Sequence, residues 1–178
     1  YPSTQIDGEA IMGWGPIVSK LQAEWGDSPV WAIDLYVGSY EEDFVEAFAA
    51  TGRKVIQTRT LMIGDEAVKE LTDRFITDDV LFGYMSNIRL EEYFCQKKVE
   101  EARSLLADGG KYVVVGTAAA LVAPSAPVAY ADMARWEIQQ RYRRHEVKAL
   151  GIDNSAEGPS LQYKRGYFND WNICDAYK

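Results

Sequence analysis

The segment Val30-Trp31-Ala32-Ile33-Asp34-Leu35-Tyr36 is apolar at every position except Asp34. A strand with one solvated face alternates apolar and polar residues, so an unbroken run needs cover on both faces, the usual condition of a parallel strand. Lys111-Tyr112-Val113-Val114-Val115-Gly116 repeats the pattern. Parallel strands must be joined by crossovers, and the segments around these runs have helical periodicity. The chain is therefore read as α/β from the start.

Upstream of the first run, Ile17, Leu21 and Trp25 recur at helical spacing, with Pro16 in the first turn and Gly26 as the stop. After the run, Ser39 stands three residues before Glu42 in a capping-box pattern, and Phe44, Val45 and Phe48 share one helical face. Gly52 closes that helix, and residues 54–58 form a second strand. Helices are expected over 65–72 and 96–107, the latter with Val99, Ala102, Leu105 and Leu106 inward. Residues 77–85 receive no assignment. A fourth strand is expected at 128–132, and a long helix over 133–150 ends at Gly151. A strand or hairpin arm at 162–168 and a terminal helix follow. The sum is a three-layer α/β/α arrangement with a mostly parallel sheet, one domain spanning 1–178.

Composition narrows the function classes. With 47% apolar residues in 178, the core needs no disulfide or metal staple. No apolar run approaches the roughly 20 residues that span a bilayer. Tyr1-Pro2-Ser3-Thr4 is neither basic nor apolar, so it does not read as a signal peptide. A start without Met reads as a trimmed or partial chain. The net charge of −8 argues against nucleic-acid and anionic-membrane partners, which require basic surface. Cys95 and Cys174 read as free thiols, and a reducing, cytoplasmic location follows.

Chemistry-bearing residues are sparse. A catalytic zinc site takes about three protein ligands, whereas this chain has one histidine, His145, on what reads as a solvated helix face. No metal centre is expected. The loop Tyr36-Val37-Gly38-Ser39-Tyr40-Glu41-Glu42-Asp43 sits where a phosphate cradle would lie, but it has one glycine, no lysine and three carboxylates. Carboxylates at a helix N-terminus suit its dipole and repel phosphate, so a Walker-type site is not expected. On the helix that follows Asp132, Arg135, Arg141 and Arg144 concentrate positive charge, with Lys164 and Arg165 downstream. Asp132 would cap this helix, with Ala134, Ile138 and Tyr142 facing the core. Guanidinium forks suit a phosphate or carboxylate clamp; the alternative is pairing with the chain's own Asp and Glu. The aromatic tail (Tyr163, Tyr167, Phe168, Trp171, Tyr177) packs inward or covers a partner.

The run Tyr130-Ala131-Asp132-Met133-Ala134-Arg135-Trp136-Glu137-Ile138-Gln139-Gln140-Arg141-Tyr142 resembles the N-terminal region of bacterial class I mannose-6-phosphate isomerases and related cupins. In these a kinase-like domain precedes the cupin. Leu161 to Phe168 with Asp170-Trp171, Thr77-Asp78-Asp79, Phe82 to Met85 and the opening Tyr1 to Thr4 carry the same likeness. The fold it implies is similar to that of uridine-kinase-like P-loop kinases, in which Arg135, Arg141, Arg143 and Arg144 would face phosphates. The glycine–lysine loop of those kinases is absent at 37–44. The resemblance thus implies a non-catalytic, degenerate kinase-like domain with a vestigial site for a sugar phosphate or nucleotide. Its partner would be a cupin domain or a second copy. No cofactor is expected in this chain; the divalent metal and the aldose–ketose isomerisation would belong to the cupin. Two alternatives stand beside this: an active phosphotransferase using Asp34 or Asp132 as base or magnesium ligand, and a structural or oligomerisation module.

Overall fold

The computed structural model describes residue 8 and residues 10–178; the Tyr1 to Thr4 likeness lies outside them. Four strands, β1 (Val30–Leu35), β2 (Lys54–Gln57), β3 (Tyr112–Gly116) and β4 (Val128–Ala131), form one sheet in the order β2-β3-β1-β4. All three pairings are parallel, with Val30 opposite Tyr112 and Ala32 opposite Val128.

Alternation along β1 and β3 explains why both strands are apolar throughout. Trp31, Ile33, Leu35, Val113 and Val115 point to one face, where α1 (Trp14–Trp25) and α2 (Glu41–Ala49) cover them with Leu21, Trp25, Phe44 and Phe48. Trp31 anchors this layer: its indole N–H donates to Trp25 O at 2.9 Å and the Arg53 guanidinium lies 3.8 Å over its ring. Ala32 and Val114 point the other way, into the larger core. There α3 (Asp65–Ile76), α4 (Gln96–Leu106), α5 (Ala119–Val122), α6 (Arg135–Arg143), α7 (Pro159–Arg165) and α8 (Trp171–Tyr177) are arrayed. Val68, Val99, Val122, Ile138, Tyr142, Trp171 and Ile173 close that core. The protein is therefore a three-layer α/β/α fold on an all-parallel sheet.

Tertiary contacts override several local expectations. Ser39 does not cap α2; its hydroxyl donates back to Tyr36 O at 2.8 Å, and Tyr40 precedes the helix without a side-chain cap. The long helix over 133–150 is only α6. It stops where His145 takes φ 54 and the chain turns into an extended strap, Glu146 to Asp153. The strap buries Val147, Ala149, Leu150 and Ile152, which a continued helix would distribute around its circumference. Asp132 does not cap α6 either: it accepts Met133 N–H at 2.9 Å and pairs with Lys178, while Ala134 is exposed. Leu105 is exposed rather than inward.

The arm at 162–168 is helical. After α7, a π-turn over Gly166–Asp170 leads directly into α8. Gly166 permits this because a Cβ there would lie 2.9 Å from the Trp171 ring. Residues 77–85 are irregular: Asp79 Oδ1 accepts Leu81 N–H and Phe82 N–H, each at 2.7 Å, and Val80, Leu81 and Phe82 are exposed. From α8, Asp175 accepts the Tyr36 hydroxyl at 2.7 Å, and the Tyr177 hydroxyl donates to Asp34 at 3.0 Å.

Candidate functional site

The strand order places a crevice at the carboxyl end of β1 and β3. After β1 the chain crosses to β2 on the far side of β3; after β3 it crosses to β4 on the far side of β1. The two connections leave in opposite directions, and open parallel sheets bind ligands at such a switch point. A cleft of about 750 Å³ lies there, within the range of small-molecule sites. Its walls are the loop after β1 (Tyr36 to Tyr40), the first turn of α2, Thr58 and Arg59 after β2, Thr117 after β3, and the strap.

The loop is pinned from beneath. Gly38 has φ 89 and lies so close to α6 that a Cβ would fall 2.9 Å from two Ile138 carbons. Arg141 donates from Nη1 to Gly38 O at 2.8 Å and from Nε to Glu137 at 3.0 Å, with its guanidinium 3.7 Å over the Tyr40 ring. Arg141→Ala should cost about 1–3 kcal/mol by removing a charge-assisted bond and a stacked cation. Faster amide exchange at residues 36–40 would confirm the pin, and unchanged exchange would dismiss it.

Glu41 is the exceptional group in the cleft. Its Oε1 atom is buried without a hydrogen-bond partner. Burial pushes the carboxyl up to about 7; Arg59 opposes the shift and Glu42 adds to it. The cations nearby are already committed: Arg59 to Glu42 at 3.2 Å and Lys148 to Asp153 at 2.6 Å. Glu146 is taken by Arg144 at 2.8 Å and by the Tyr40 hydroxyl.

The basic residues singled out in sequence are mostly paired internally. Arg135 binds Asp175 and lies 5.5 Å from the Trp171 ring. Arg144 bridges Glu146 and Glu137, the latter at 3.3 Å, and Arg143 is exposed. Lys164 is buried, donating to Asp79 O and, at 3.3 Å, to Thr77 O, so it supports the 77–85 loop. Arg165 is buried between Asp73 at 2.7 Å and Glu157 at 2.9 Å. Asp34 is enclosed beneath the cleft: Oδ1 accepts Ala118 N–H at 3.0 Å and Oδ2 accepts Ala120 N–H at 2.9 Å and the Tyr177 hydroxyl. Burial raises its pKa, and those three donors partly offset the rise.

Cys95 and Cys174 are unpaired. Among the described residues no group of three or more His, Cys, Asp or Glu is placed to hold a metal. Among the same residues no helix is long and apolar enough to cross a membrane. Sequence reasoning took Glu41 only as part of a field against phosphate. Its place at the start of the helix after the central strand was read, but not the burial that leaves one of its oxygens without a partner.

A family model described as a domain of unknown function, DUF8485, matches residues 13–178, and the chain belongs to that family. Comparison with curated proteins and with solved structures gives no match.

Proposed function

We propose that this DUF8485 domain binds a small molecule rich in hydrogen-bond donors, a polyol or an amine, in the cleft, with Glu41 as its proton-exchanging group. The observation that carries the reading is the Glu41 Oε1 atom, buried in the cleft wall without a partner. A carboxyl titrating near neutrality accepts from a ligand hydroxyl or ammonium and moves a proton at low cost, the condition for general acid–base work. The lining supports the ligand class. Glu41, Glu42, Asp43, Asp65, Glu146 and Asp153 face two cations, Arg59 and Lys148, and that field opposes an incoming phosphate.

The resemblance to cupin-linked kinase-like domains supports a second proposal, recognition of a sugar phosphate or nucleotide beside an isomerase domain. Arg59 and Lys148 in the lining favour it, and it requires the anion to displace Glu42 and Asp153. A cytoplasmic setting belongs to both proposals, supported by the two free thiols.

A thermal-shift screen separates the two, using polyols, amines, sugar phosphates and ATP with magnesium on the wild-type chain and Glu41→Gln. The expected result is a rise in Tm with a polyol or amine, and at least a tenfold loss of affinity in Glu41→Gln. A ligand at 100 times its Kd adds about 2.7 kcal/mol, which is readily seen. A rise confined to phosphorylated compounds and indifferent to Glu41 would replace the first proposal by the second. No rise with any compound would overturn both.

A further inference from the structure

The strap forms one wall of the cleft, and three side chains hold its backbone. Asn154 accepts Ala149 N–H at 2.8 Å, Asp170 accepts Leu150 N–H at 3.0 Å and Asp65 accepts Asp153 N–H at 2.7 Å. Asp170 differs from Asp65 in lying inside the protein, 3% exposed, on the π-turn that joins α7 to α8. An ionised carboxylate has about four acceptor sites, and enclosing one with few donors is costly.

Every element packed around Asp170 brings a titratable or charged group. Tyr93, preceding Phe94 on the short 3-10 turn Leu90–Tyr93, and Tyr142 of α6 both have buried hydroxyls without partners. Burial raises the pKa of both hydroxyls and of the Cys174 thiol on α8, and Asp170 adds to each rise. Arg165 of α7 favours ionisation of Asp170, but its guanidinium is held by Asp73 and Glu157, and Glu157 itself acts against ionisation. Burial dominates and pushes the carboxyl up to about 7, outweighing the Leu150 N–H bond, which by itself favours the ionised form.

We propose that Asp170 is a proton-controlled latch on the cleft wall: neutral, it stays enclosed with Leu150 N–H bonded to it, and ionised, it takes up water by releasing the strap. The direction follows from linkage. An open state that hydrates Asp170 binds fewer protons than the closed one, so rising pH favours opening. The closed state has the raised pKa. Its advantage is complete below the ordinary carboxylate range, about 4, and declines as pH rises to about 7. The latch rests on the strap and not on the identity of any ligand.

Hydrogen exchange of the full chain, read on peptides covering 146–153 and corrected for the intrinsic pH dependence of exchange, tests it. Strap opening in the wild type should increase up to about tenfold per pH unit between pH 5 and 7 and level off above. Asp170→Asn keeps an acceptor for Leu150 and should make the opening independent of pH. Glu41→Gln, which alters the proposed ligand site, should leave the slope intact, so loss of the slope there would assign the effect to Glu41. A flat wild-type profile, or a slope that survives Asp170→Asn, overturns the latch. Should that variant fail to fold, carboxyl-carbon NMR of the wild type decides: a midpoint for Asp170 near neutrality supports the latch, and one near 4 ends it.

Discussion

Replacing Asp34 with Ala is expected to lower the unfolding free energy by about 3–5 kcal/mol, the cost of breaking a buried charged network at one partner. Asp34 is 1% exposed and ties three distant pieces together: β1, the turn after β3 and the end of α8. Its loss strands the Ala118 and Ala120 N–H groups inside the protein. Ala118 also has φ 67, a left-handed conformation costing a residue with a Cβ roughly 1–2 kcal/mol, and the carboxylate is what holds it there. For a chain of this size the Tm should fall by about 10–15 °C. Asp34→Asn keeps one oxygen and turns an N–H2 toward a donor, so an intermediate loss is expected. Chemical denaturation measures both, and a loss below about 1 kcal/mol for Asp34→Ala would show that the turn holds itself.

Gly116→Ala should be at least as damaging, about 3 kcal/mol or more, because two mechanisms add. Gly116 ends β3 at φ 125, a backbone conformation that side-chain-bearing residues rarely adopt, and a Cβ there would sit 2.2 Å from Thr58 Oγ1. Thr58, just after β2, is 1% exposed, and its short β-branched side chain has no flexible end to swing clear. Thr58→Ala in the same chain removes the clashing oxygen but not the backbone strain. The double variant should therefore recover about 1–2 kcal/mol of the loss, a coupling visible only in the full mutant cycle. Strict additivity of the two substitutions would mean that the strand ends move apart and the contact is soft.

The two-sided apolar runs made the sheet legible, because burial on both faces leaves no choice of side chain at Trp31, Ile33, Val113 or Val115. α1 to α4 were legible for the complementary reason: each buries one stripe, and its spacing survives in the sequence. The 133–150 segment was not, since nothing in Arg143-Arg144-His145-Glu146-Val147 breaks a helix locally. The break comes from the gain in burying Val147, Leu150 and Ile152 against distant elements. The tail misled in the opposite sense. Tyr163, Tyr167 and Phe168 favour strands by propensity, yet Trp171, Ile173 and Cys174 are buried only when the segment coils. Pairing of the arginines with the chain's own carboxylates was one of the two readings: Arg141 and Arg144 meet Glu137 and Glu146 within seven positions, whereas the partners of Arg135 and Arg165, 40 and 92 positions away, were not legible. Glu41 was visible too. Its chemistry was not, for the burial that leaves one of its oxygens without a partner exists only in the folded chain.

The clasp between β1 and α8 bears on how the chain folds as it is synthesised. Within this domain the central strand is made early, but Asp34 and Tyr36 meet their partners Tyr177 and Asp175 only 143 and 139 residues later. Contacts that distant carry a large loop-closure cost and form late. A nascent chain still lacking α8 has a sheet whose innermost carboxylate is one donor short and whose larger core is missing Trp171 and Ile173. Apolar surface left uncovered in this way is what makes incomplete chains prone to aggregate. The larger core of this domain is complete only once α8 has been made.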